Sequence, residues 1–155
     1  MAKINFQIVT PERVVYNDEI DQVSLPTPMG EITVLPHHVP LITALSAGEL
    51  RVKKGTDEVP MAISAGFAEI QPNKVVVLAE TAERAEEIDI ERAKEAHQKA
   101  EELLKTRRTD QKEFAAVMSK IEKELARLRV AERHRTKRAD RVIREDELKK
   151  KQAGG

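Results

Sequence analysis

All seven prolines of this 155-residue chain lie before Glu80, and from Glu80 to Lys151 there is neither proline nor glycine. Proline removes a backbone donor and fixes φ, and glycine supplies the positive φ of tight turns, so turns belong to the first half and are absent from the second. After Glu80 the residues are mostly Ala, Glu, Lys, Arg and Leu, which lose least freedom in a helix. The chain therefore reads as a turn-rich module followed by a helical one.

In the first module Ile4, Phe6 and Ile8 alternate with Asn5 and Gln7, and Ile32 and Val34 alternate with Glu31 and Thr33, the period of a half-buried strand. Further short runs at 13–16, 20–25, 49–53, 59–64, 66–71 and 74–79 are separated by turn residues. About eight strands at this spacing predict a sandwich or flattened barrel. No helix-length segment separates them, so right-handed parallel crossovers are excluded and the sheets should be mostly antiparallel. With aromatics at 3%, the core must rest on Ile, Val, Leu and Ala.

In the second module Asp89 is a candidate N-cap for a helix whose apolar stripe is Ala93, Ala96, Ala100, Leu103 and Leu104. Asp110 with Glu113 forms a capping-box pattern, and Phe114, Val117, Met118, Ile121, Leu125 and Leu128 follow at helical steps. The polar break at 106–110 predicts a hairpin of two helices rather than one rod. Two helices of about 18–20 residues would each be near 30 Å long. The expected class is thus α+β: an N-terminal antiparallel β-sandwich or flattened barrel, then a C-terminal α-helical hairpin. The expected units are residues 1–84, 85–132 and a basic extension at 133–155, helical or disordered.

Charge is balanced overall, 27 basic against 27 acidic residues, but unevenly placed. Residues 1–88 carry seven basic and thirteen acidic side chains, while 133–151 carry nine and four. The basic end allows docking on an acidic surface, although such a run is commonly a solvated helix end. A free-standing nucleic-acid-binding module using this basic tail is the alternative reading, but base-stacking aromatics are nearly absent from the helical half, where Phe114 alone occurs.

Chemistry of the enzymatic kind is not written in the chain. It has no cysteine, no G-x-x-x-x-G-K-[ST], no G-x-G-x-x-G and no G-x-S-x-G, so no catalytic residue can be named. A small ATP-hydrolysing enzyme ranks last for that reason. His37 and His38 are adjacent and on a strand would face opposite ways, and His97 and His134 lack partners suited to a metal motif, so no metal site is expected. The opening MAKINFQIV predicts neither a signal peptide nor a membrane span.

Several segments together carry a resemblance. VTPERVVY at 9–16, GEITVLPHHVPLIT at 30–43, AISAGFAEI at 62–70, KVVVLAETAERAEEIDIERA at 74–93 and RLRVAE at 127–132 resemble, in order and spacing, the epsilon subunits of rotary F-type ATP synthases. The likeness covers about residues 3–132. It implies a non-catalytic central-stalk subunit of a complex that couples proton flow to ATP synthesis. The sandwich would dock on the gamma subunit and the c-subunit ring, with Gly30, Glu31 and His38 facing the ring. Where the family usually has glycine before that histidine this chain has His37, so a Cβ stands where glycine can take positive φ and the turn need not match. The setting implied is peripheral, on the cytoplasmic face of a bacterial plasma membrane or the equivalent face of another energy-coupling membrane.

The resemblance also implies that the hairpin opens into an arm that enters the alpha/beta catalytic head and inhibits ATP hydrolysis. Alanine-rich faces bury little, at about 0.8 kcal/mol per methylene, so such a hairpin can be nearly balanced. Some bacterial members bind regulatory ATP through Ile-Asp-x-x-Arg-Ala, which stands here as Ile88, Asp89, Arg92 and Ala93, with Glu83 upstream and Arg127 on the second helix. No required cofactor, and no magnesium, is implied. Ligand at about 100 times its dissociation constant would add roughly 2.7 kcal/mol to the closed form. Two family arginines of that site are Lys99 and Lys123 here, which keep charge but lose the planar fork, so binding is expected to be weak. The alternative is that Asp89 and Arg92 only cap the helix and pair with each other.

Overall fold

The computed structural model describes residues 1–106 and 111–154. Ten strands form two five-stranded sheets. The first, in the order β2(Val14–Ile20), β1(Ile4–Val9), β9(Lys74–Ala79), β8(Gly66–Gln71), β5(Leu41–Leu45), faces a second in the order β10(Ala82–Arg84), β7(Asp57–Ile63), β6(Gly48–Lys54), β3(Gln22–Thr27), β4(Gly30–Val34). The sandwich expected from the alternation is present. The strand count is ten and not eight because β5 and β10 were not foreseen; the 20–25 run also starts one residue inside β2, the two strands dividing at Asp21.

Every pairing is antiparallel except β1 with β9, which run parallel with Phe6 opposite Val75 and Ile8 opposite Val77. A parallel neighbour needs a long crossover, and here the intervening strands, which visit the other sheet, provide it in place of a helix. The inward sides of β1, β3, β6 and β9 fill the core with Phe6, Ile8, Leu25, Leu50, Val52 and Val77, all fully buried. Phe6 meets Tyr16 with ring centroids 5.7 Å apart, and the Arg84 guanidinium lies 5.6 Å from the Tyr16 ring centre, tying β10 to the opposite sheet.

A 3-10 turn at Ala85–Glu87 leads into α1(Ile90–Thr106), and α2(Gln111–Ala153) lies against it. The capping pattern beginning at Asp110, and most of the break at 106–110, lie outside the described residues. Two expectations about the helices need correction. Leu103 and Phe114 are 41% and 53% exposed instead of buried in the stripes, because they sit at the end of the hairpin where α1 gives way to α2, away from Val130 and Ala131, which pack on the sandwich. The second helix does not end after 18–20 residues but runs for 43, about 65 Å at the usual rise. Residues 133–153 continue it, with every described position from 135 onward exposed. Helix-forming residues and the Arg141 to Glu145 pair at 3.2 Å support that exposed length, each such pair adding a few tenths of a kcal/mol.

The hairpin rests on the second sheet through a small cluster of Ala62, Ala85, Ile88, Val130 and Ala131. Three of these five are alanines, so each buries only about one methyl group. This contact is much poorer than the sandwich core.

Candidate functional site

The junction between sandwich and hairpin is where most of the expected residues meet. β10 carries Glu83 with Ala82 turned inward, and two turns of α2 carry Glu124 and Arg127 to the same place. The Arg127 guanidinium grips Glu83 at two points, Nε to Oε2 at 2.5 Å and Nη2 to Oε1 at 3.1 Å, while Nη1 donates to Glu124 Oε2 at 2.8 Å. Glu124 is only 5% exposed. Burial alone would pull Arg127 down, but the hydrogen bonds to Glu124 and Glu83 outweigh it and hold the guanidinium above its ordinary value. The arrangement is a three-residue clamp across the junction, charge-assisted and bidentate on one side.

Glu83, Lys123 and Arg127 share a cleft of about 250 Å³ with Thr10, Arg13 and Glu80. The rest of the expected nucleotide set lies elsewhere. Asp89 caps α1, its Oδ1 accepting from the Arg92 backbone N–H at 3.2 Å while its carbonyl accepts from Ala93 N–H at 3.0 Å. That is the capping half of the alternative; among the described residues no hydrogen bond or ion pair joins the Arg92 side chain to Asp89. Ile88 and Ala93 are buried, whereas Arg92 and Lys99 are exposed. In this closed form the Arg127 fork is occupied by carboxylates, so a triphosphate could use it only by displacing Glu83.

At the opposite edge of the second sheet, the β3–β4 turn and the start of β4 hold Gly30 and Glu31 of the residues expected to face a ring, while His38 lies in the β4–β5 loop at the other end of β4. Gly30 has φ +118 with open space around it, so glycine is needed there for its backbone and not for room. Glu31 pairs with Arg51 at 2.5 Å. Neighbouring Met29 is almost wholly exposed, as are Val39 and Ile42 in large part. His38 Nδ1 contacts its neighbour's Val39 carbonyl at 2.6 Å. His37 takes φ +66, the left-handed region, with its N–H donated to the Pro72 carbonyl at 2.7 Å. The glycine-like turn is therefore kept despite the added Cβ, at the strain a non-glycine carries there.

Two features were missed in the sequence. Glu124 is a charge inside the apolar stripe of α2, three residues before Arg127, and that interruption was the available signal. The second is the outer face of the first sheet. Register places Ala44 opposite Phe67, Phe67 opposite Leu78, Leu78 opposite Val9 and Val9 opposite Val14, one apolar row across all five strands. Phe67 is 60% exposed, Leu78 54% and Val14 52%. The unbroken apolar run at 75–79, with no polar residue on alternate positions, marked a strand that is apolar on both faces. His97 also has a carboxylate one turn on, Glu101 at 3.7 Å, against the expectation that it had none; a single pair is not a metal set, and among the described residues no three His, Asp or Glu side chains could hold an ion.

Comparison with known proteins gives two family matches laid end to end. Residues 3–85 match the ATP synthase Delta/Epsilon chain beta-sandwich domain, and residues 86–132 match the Delta/Epsilon chain long alpha-helix domain. A curated relative from Dehalococcoides mccartyi, named ATP synthase epsilon chain, is 47% identical over 135 residues, covering 87% of this chain and 96% of its own. One of the same name from Desulforamulus reducens is 45% identical over 133 residues, covering 85% of this chain and all of its own. A chain in a cryo-EM structure of the Euglena gracilis mitochondrial ATP synthase, OSCP/F1/c-ring, has the same fold at TM-score 0.67 and 24% identity, covering 79% of this chain and 77% of that one.

Proposed function

Because the chain belongs to the ATP synthase delta/epsilon chain family over both its sandwich and its helices, we propose that it works as the epsilon subunit of the central stalk, a non-catalytic part of the rotor that restrains ATP hydrolysis with a hairpin able to leave the sandwich. The observation that carries the regulatory part is the junction itself: a cluster of five buried apolar residues, three of them alanines, with the Arg127 clamp and two exposed ion pairs from Arg133 and Lys137, holds about sixty residues of helix against the sheet. A contact of that size leaves the open and closed forms within reach of a ligand or partner.

The outer row of the first sheet, from Val14 through Val9, Leu78 and Phe67 to Ala44, is the surface that suits the gamma subunit. It is a continuous apolar patch on a rigid face, and such patches mark interaction sites. The β3–β4 turn with Gly30 and Glu31, and the neighbouring loop with His38, suits the c-subunit ring. Opened, the basic α2 would approach the alpha/beta head. The subunit would then sit on the cytoplasmic face of a bacterial plasma membrane, held there by the complex; among the described residues no helix is long and apolar enough to cross a membrane.

Regulatory ATP would bind weakly, since Arg127 is already engaged by Glu83, Asp89 and Arg92 lie outside the cleft that Arg127 lines, and Lys99 and Lys123 lack the bidentate fork. Titration calorimetry of the full chain with ATP tests the nucleotide part, and absence of heat at millimolar ATP removes it. For inhibition, the complex assembled with a chain ending at residue 87 should hydrolyse ATP faster than the complex with the full chain. An equal rate removes the regulatory reading while leaving the stalk role in place.

A further inference from the structure

The outward side of the second sheet carries three carboxylates around one arginine. Arg51 on β6 reaches across β3 to Glu31 on β4 at 2.5 Å, and its Nε lies 3.6 Å from Glu49 and 3.8 Å from Glu58. Two side chains of α2 complete the set from above: Arg133 Nη1 meets Glu49 at 3.0 Å and Lys137 Nζ meets Glu58 at 3.3 Å. Arg133 and Lys137 lie just past residue 132, where the family's helix domain ends. Closed, the cluster holds three acids and three bases; with α2 lifted away, the sheet is left with three acids around Arg51 alone.

We propose that the helical extension beyond residue 132 is an electrostatic latch: Arg133 and Lys137 close the hairpin onto the Glu49/Glu58 pair, and Arg51 connects that latch to Glu31 at the β3–β4 turn. It rests on the reading that the hairpin opens. Each exposed pair is weak alone, but a shared network in which opening leaves like charges together is worth more than isolated pairs. Losing Glu31 leaves Arg51 to compete with Arg133 and Lys137 for the two remaining acids, so the turn expected at the ring and the latch are linked through one guanidinium. A contact of Glu31 with another cation would have the same loosening effect.

The test uses the full chain, whose lack of cysteine permits two clean labels, at Asn73→Cys in the β8–β9 turn and Ser119→Cys on α2. The inter-label distance distribution gives the open-to-closed ratio. Arg133→Glu with Lys137→Glu should raise that ratio about tenfold, each exposed pair being worth up to roughly a factor of five and reversal adding repulsion. Lys150→Glu with Lys151→Glu, equal in charge change but beyond the cluster, should not. Adding Glu49→Lys and Glu58→Lys to the reversed helix should restore closure, and Glu31→Gln alone should open the chain about twofold. Raising salt from about 0.05 to about 0.5 M should open the native chain and leave the Arg133→Glu, Lys137→Glu chain nearly unchanged. Equal ratios in the native and reversed chains overturn the latch, and no response to Glu31→Gln overturns its link to the turn. Arg127→Ala separates the two readings: if it opens the hairpin while the reversed pair does not, the latch alone is lost, and if neither opens it, both are lost.

Discussion

Arg127→Ala is the perturbation with the clearest consequence. The side chain is 19% exposed and Glu124 beneath it only 6%, with Glu83 at 31%. Truncation leaves a buried carboxylate facing a second carboxylate with their shared cation gone. Orphaning one member of a fully buried pair costs about 3–5 kcal/mol. Partial access of water to Arg127 and Glu83 reduces that, so about 2–3 kcal/mol is expected here. At about 1.4 kcal/mol per decade this shifts closure by roughly 30- to 150-fold. Because the cost lies in the orphaned acid, replacing both charges, Arg127→Leu with Glu124→Leu, should recover most of the closed population. The assay is the label distance described above, with sandwich melting followed in parallel to show that the sheets stay intact. Equal opening in the single and double variants would refute the orphaned-charge reasoning, as would a fully closed Arg127→Ala chain.

Other expectations concern the sandwich. A Cβ at Gly66 would stand 2.0 Å from the Leu78 carbonyl oxygen and 2.9 Å from the Ala79 Cα, both backbone atoms of β9, so Gly66→Ala should cost more than about 3 kcal/mol and show as loss of the folding transition or of soluble protein. His37→Val should lower stability by about 1–2 kcal/mol in urea unfolding, since a β-branched residue tolerates φ +66 poorly, while His37→Gly should not lower it. The backbone N–H of Gly55, at 2.6 Å, and then Lys3 hold the Asp21 carboxyl below its usual 3.8. A depressed carboxylate contributes stability above its unfolded pKa and loses it as pH falls through the folded value. The urea midpoint gap between the native chain and Asp21→Asn should therefore be complete at neutral pH and close as pH drops below 3.8.

How much of this was legible before the structure depends on which force sets each feature. The boundary at Glu80 and the strands at 4–8, 66–71 and 74–79 follow from turn residues and period, local properties that a sequence displays. β2 was cut short because Asn17, Asp18 and Glu19 are poor strand formers; they are held extended by pairing with β1, a tertiary effect. β10 has three residues and exists through its pairing with β7, too short for any periodicity. The parallel β1–β9 pair joins segments about seventy residues apart, which no local pattern encodes. On the helices, Phe114 and Leu103 fit the stripe by spacing, yet burial depends on where the sandwich ends and not on spacing. Of the candidate site, Asp89 was readable as a cap because capping is local. The Glu83–Arg127–Glu124 clamp was not, since it brings β10 against α2 and depends on the hairpin folding back. His37 illustrates the converse: the added Cβ was visible, but the Pro72 carbonyl that accepts its N–H and keeps the turn was not.

The most direct measurement is ATP hydrolysis by the assembled complex with the hairpin held shut. Cysteines at Glu49→Cys and Arg133→Cys, whose native side chains meet at 3.0 Å, can be joined by a short reversible bifunctional crosslinker. Hydrolysis should rise when the link forms and return to the uncrosslinked level when it is cleaved, with single-cysteine complexes unaffected. A rate indifferent to the link, or one that falls when the hairpin is held against the sheet, would contradict a subunit that inhibits by opening.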